Sequence, residues 1–202
     1  MAGAIGAVIA LVVILNFIIP WNSPLRVLFT PKSYEYNRVL HNAQANYQIG
    51  EMEVARPMFK QLLEMKPEEE DLHYRMGVVQ SRLGQTEDAI EHFETAFDLS
   101  GKTMGEAQAS IAAIHIQHGE ELLKLDNYRD AGTFFDKADS RLDRAYEAIR
   151  RRDAKEKEQL SLEFSLLRGQ VYIGQGLAAM LHSDRTDVAE ERFSTAQNVF
   201  KN

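Results

Sequence analysis

The chain has 202 residues, of which 45 % are hydrophobic and 26 % charged, and its formal net charge is −7. That length supports one or two small domains with a core of their own, and the acidic balance argues against a general nucleic-acid binder. The sequence contains no cysteine, which removes disulfides, thiolate metal sites and cysteine nucleophiles together.

The first predicted element is a membrane anchor. No charged side chain precedes Arg26, and residues 2–19 are apolar apart from Asn16. A helix over that stretch reaches about 27 Å, close to the ~30 Å hydrocarbon core of a bilayer. Pro20 ends the run, and Trp21 stands where an amphipathic ring marks the lipid–water boundary. Residues 1–20 are therefore expected to span a membrane once, with Ile5, Val8, Leu11, Val12 and Ile14, then Leu15, Phe17, Ile18 and Trp21, meeting the lipid. A secretory signal calls for a basic start and a small-residue cleavage site, and the sequence has neither. A buried core helix would need a large apolar surface to receive it. Arg26, Lys32 and Arg38 follow the apolar run, which places the amino terminus outside and the rest of the chain on the cytoplasmic side. Residues 21–35, punctuated by Pro24 and Pro31, form an interfacial connector.

From residue 36 onward the pattern is helical with short breaks and no strand signal. Gly50, Ala55, Phe59 and Leu62 return 34 residues later as Gly84, Ala89, Phe93 and Ala96. A fixed period of that length marks one helical hairpin used twice, over residues 36–69 and 70–103. Gly77, Ala55, Ala89 and Ala96 let helix backbones approach, and Phe59 and Phe93 fill the space beside them. Pro57 falls inside the second helix of the first unit and is expected to kink it or delay its start. Beyond residue 103 the period fails while the motif persists as Ala131, Phe135 and Ala138, and again as Ala189, Phe193 and Ala196. Residues 104–202 are read as two elongated, divergent pairs, giving eight helices after the anchor. Residues 160–181 carry apolar stripes on two faces, through Leu160, Phe164 and Val171 and through Leu162, Leu166, Ile173 and Met180. Such a helix is expected to lie sandwiched between neighbours, with Gly169, Gly174 and Gly176 at close crossings.

These residues and spacings resemble the tetratricopeptide repeat family, most strongly over residues 70–103. The resemblance implies an all-α helical-hairpin solenoid that binds other proteins. Some members grip a terminal carboxylate with a lysine–asparagine–arginine set on successive first helices. Here Leu40, Gln44, His73 and Met76 stand at corresponding positions and do not supply it. By the same analogy Asn46, His73 and Gln80 are candidate partner-binding side chains on the first helices, facing the concave surface.

Chemical motifs reduce mostly to packing. His115, His118 and Glu121 lie near one helix face, but no second ligand set matches them, so no metal is expected. Gly169, Gly174 and Gly176 could suggest a nucleotide loop, yet they fall within a continuous helical pattern and no Lys-Ser or Lys-Thr follows. Arg150, Arg151 and Arg152 form the main basic cluster and could meet lipid headgroups or an acidic partner. Asp153, Glu156 and Glu158 interrupt it, as on a solvated helix. No cofactor and no catalytic set is foreshadowed. The expected function is a membrane-anchored, non-enzymatic scaffold or adapter, serving as an accessory subunit of a larger membrane complex. The alternative is a structural subunit that assembles with copies of itself.

Overall fold

The computed structural model describes residues 32–150, 152–183 and 185–201. Every regular element among them is a helix. In chain order these are α1 (Lys32–Ile49), α2 (Met52–Met65), α3 (Glu70–Arg82), α4 (Thr86–Leu99), α5 (Gly105–Lys124), α6 (Tyr128–Ile149), α7 (Ala154–Ser183) and α8 (Thr186–Val199). The expected anchor, residues 1–20, and the connector up to residue 31 lie outside the described residues. No helix among the described residues is long and apolar enough to cross a membrane. α1 begins at Lys32, within the stretch read as connector.

Short turns set the pairing. Gly50 and Gly84 adopt φ of +87° and +74°, the left-handed conformation that a Cβ disfavours. Beyond them the chain closes back on the helix it has just left. Glu51 N–H donates to Asn46 O and Gln85 N–H to Gln80 O, both at 2.9 Å. The same bond, Asn127 N–H to Leu122 O at 2.9 Å, closes the turn between α5 and α6. There Asp126 takes the left-handed position, at φ +57°. The period fails beyond residue 103, yet the turn geometry survives with aspartate in place of glycine. Pro57 does not delay α2, which starts at Met52 and runs through it. The proline removes the bond that the Glu53 carbonyl would have accepted.

Each helix packs on the next, and α5 also meets α7 and touches α3. The core is a row of linked clusters rather than one centre, as expected of a solenoid. The first joins Val39, Ala43, Phe59, Leu62, Leu72 and Val79 from α1 to α3. The second joins Ala89, Phe93 and Phe97 of α4 to Ala107 and Ile111 of α5. The third joins Ile116 of α5, Phe135 and Leu142 of α6, and Phe164 and Val171 of α7. Phe59, Phe93 and Phe135 are each no more than 1 % exposed. Phe193 is half-buried and lies over Gly176, where a Cβ would approach its ring to 2.7 Å.

α7 departs from the sequence reading. Leu160, Phe164, Val171 and Ala178 are buried, but Leu162, Leu166 and Ile173 are 63 %, 52 % and 39 % exposed. For Leu162 and Leu166 the reason is length. α7 has 30 residues and α8 has 14, so α8 spans roughly 21 Å of a helix about 45 Å long. Phe193 of α8 and Phe200 just past its end cover Gly176 and Gly169, and Leu162, Leu166 and Ile173 remain exposed.

Candidate partner-binding cleft

One face of α3 carries His73, Met76 and Gln80, spaced so that they align along the helix. They form the floor of a cleft of about 820 Å³. α2 supplies one wall through Glu53, Arg56, Lys60 and Glu64, and α4 supplies the other through Asp88, Glu91 and His92. Pro67 just beyond α2 and Gln85 at the start of α4 close the two ends. Arg56 is spoken for: its guanidinium lies 3.4 Å from Glu53 and donates to Gln85 Oε1 at 3.4 Å.

His73 Nε2 lies 2.9 Å from the Pro67 carbonyl oxygen, which can only accept, so Nε2 carries a hydrogen. In the tautomer with both rings uncharged, His73 Nδ1 accepts from His92 Nδ1–H across 2.9 Å. Burial, with His73 beside it, pushes His92 below the usual histidine range. Gln80 is 7 % exposed, and its side-chain carbonyl oxygen has no hydrogen-bond partner.

Among the other sequence candidates, Asn46 lies outside this cleft; its amide donates to the Asn42 carbonyl at 2.8 Å and meets Met58 Sδ at 3.9 Å. Arg150 reaches both carboxylate oxygens of Glu147 at 2.9 Å on an exposed surface. Arg152 bonds both oxygens of Glu106 at 2.9 Å and the Thr103 carbonyl at 3.1 Å, and it pairs with Glu156. It ties the start of α5 to the start of α7. Arg151 lies outside the described residues.

His115 and His118 both pack on Phe134, with ring centroids 5.8 Å and 5.3 Å away, and Glu121 accepts from Gln117 at 3.0 Å. No group of three metal-capable side chains occurs among the described residues. Burial, with Arg141, Lys137 and His118 adding positive charge, lowers the His115 pKa to about 4. The unfolded chain therefore binds more protons than the folded one between about pH 6.5 and 4. The stabilisation is complete above that window and is lost as the pH falls through it. The ring is only half-buried, so solvent screening reduces the effect to about 1–2 kcal/mol. Urea unfolding at pH 7 and pH 4.5 should show a smaller acid loss for His115→Gln than for the wild-type chain; equal losses would count against this account.

The α4 wall is absent from the sequence candidates, which lie on first helices and in the basic cluster at residues 150–152. A polar bridge across three helices is absent from them as well. Glu94 of α4 accepts from Gln108 of α5 at 3.0 Å and pairs with Arg141 of α6, which donates to Gln108 Oε1 at 3.1 Å. Burial would raise the Glu94 carboxyl, but the bonds from Gln108 and Arg141 outweigh it and hold it below the ordinary range.

The fold is an all-helical, tetratricopeptide-like solenoid. Residues 70–103, which hold α3 and α4, match the sequence model of the Tetratricopeptide repeat. Similar solved structures include a MamA double mutant ("MamA RS-1 ArsTM double mutant"), 19 % identical, covering 82 % of this chain and 94 % of that one, with a TM-score of 0.43. MamA 41-end from Desulfovibrio magneticus RS-1 is 16 % identical over 82 % and 95 % of the two chains, with a TM-score of 0.44. BtubC (BKLC) from P. vanneervenii is 14 % identical over 82 % and 79 %, with a TM-score of 0.30. These likenesses are too distant to carry over a partner or an activity. No curated protein matches the chain.

Proposed function

We propose that this chain is a membrane-anchored, non-catalytic scaffold that docks another protein in the cleft floored by α3, as an accessory subunit of a membrane complex. The observation that carries the reading is the cleft itself, a groove built by three consecutive helices whose floor and walls offer polar and apolar side chains together. Helical-repeat arrays use such extended surfaces to bind proteins. The apolar run in residues 2–19 supports the anchor, and Arg26, Lys32 and Arg38 support a cytoplasmic solenoid. An anchor would confine the search for a partner to a surface and raise its local concentration.

The open stripe of Leu162, Leu166 and Ile173 on α7 favours a second reading, assembly with copies of the same chain. Purification from the native membrane in mild detergent, with mass measurement and identification of co-purifying proteins, separates the two. A stoichiometric partner that is lost from a Gln80→Arg variant supports docking in the cleft. A homogeneous oligomer of this chain alone, in more than one detergent, supports self-assembly and counts against the adapter.

A further inference from the structure

The cleft has a chemical preference that its lining defines. Of its four wall carboxylates, Glu53 is paired with Arg56. Glu64 on α2 and Asp88 and Glu91 on α4 have no ion-pair partner among the described residues, and Lys60 is the one unpaired cation of the lining. The walls therefore present an excess of negative charge to whatever enters. Two acceptors lie between them. Gln80 is almost fully buried with its side-chain carbonyl unpartnered, and a buried acceptor left without a donor is costly. The torsion that turns its terminal amide is soft, so the oxygen can swing toward a guest donor. At His92 the donated Nδ1 hydrogen leaves Nε2 as an acceptor in the neutral ring. Leu63, Met76, Pro57 and Pro67 supply apolar surface alongside.

Resting on the docking reading above, we propose that the cleft takes an extended peptide segment in which lysine or arginine alternates with apolar residues. The cationic side chain lies between Glu64 and the pair Asp88 and Glu91, and a donor of the segment meets Gln80. His73 and Gln80 are seven residues apart on α3, about 10 Å along the axis, which matches three to four residues of extended chain. An acidic tail would set its charge against the unpaired wall carboxylates, and one isolated cation would leave most of an 820 Å³ cleft unfilled.

The test uses the full chain in a mild non-ionic detergent and three fluorescent, acetylated and amidated octapeptides. In each, leucine alternates with lysine, glutamine or glutamate, and binding is read by fluorescence anisotropy. The lysine peptide is expected to bind at least about fivefold tighter than the glutamine peptide, and the glutamate peptide least. The double variant D88N/E91Q should weaken the lysine peptide about fivefold and flatten its salt dependence, while Lys60→Glu should tighten it about threefold. Both variants change exposed side chains, so retained helicity by circular dichroism is expected. Equal or tighter binding of the glutamine or glutamate peptide, lost from Gln80→Arg, would overturn the basic segment and leave docking in place. No binding of any peptide, with the native partner still co-purifying with Gln80→Arg, would overturn docking in the cleft as well.

Discussion

Phe135→Ala is expected to lower the unfolding free energy by about 3–5 kcal/mol, the range for truncating a fully buried aromatic side chain. The ring is 1 % exposed and sits in the largest junction of the solenoid, where α5, α6 and α7 meet. The outer end of the ring packs against two helices at glycines. A Cβ at Gly119 of α5 would come within 2.8 Å of the ring, and one at Gly174 of α7 would run into it. Phe200, at 50 % exposure, provides the reference, and Phe200→Ala should cost less. Urea unfolding of the full chain in mild detergent measures both, and the thermal midpoint of Phe135→Ala should fall by on the order of 10 °C. A loss below about 1 kcal/mol would mean that the ring is not clamped in this way.

Gly174→Ala is expected to destabilise the chain by about 2–3 kcal/mol, although alanine improves helix propensity by about 1 kcal/mol. Local preference and packing thus predict opposite signs, which makes the measurement decisive. The added methyl would need the space that the Phe135 ring occupies, and Gly119 of α5 also packs closely against that ring. Phe135→Leu removes part of the ring and should accommodate the methyl. The double variant Phe135→Leu with Gly174→Ala should therefore lose at least about 1 kcal/mol less than the sum of the two single changes. Strict additivity would show that the two positions do not touch.

Much of the fold was legible because helical hairpins encode themselves locally. The 34-residue return of Gly50, Ala55 and Phe59 reports a turn, a close approach and the ring that fills it, all within one hairpin. The later Ala131, Phe135 and Ala138 could be aligned with them even after the period failed. Asp126 was not legible as a turn residue, since the glycine that marks Gly50 and Gly84 is missing there. Of the cleft, His73 and Gln80 follow from the register of α3. His92 does not, because its distance from His73 depends on how α3 crosses α4.

The set of helices, their Ala–Phe–Ala packing stripes and the uncharged opening run are each a property of spacing along the chain. Tertiary structure alone decided which apolar face is covered. Leu162 and Val171 lie on the same helix and read alike as core, yet one is 63 % exposed and the other 0 %. A stripe records only that a side chain is apolar; burial requires a partner that reaches it, and Leu162 lies a full turn or more beyond Gly169, where Phe200 meets α7. The Gly119–Phe135–Gly174 clamp and the Glu94–Gln108–Arg141 bridge have the same origin, since each draws its members from three helices whose meeting no local spacing encodes.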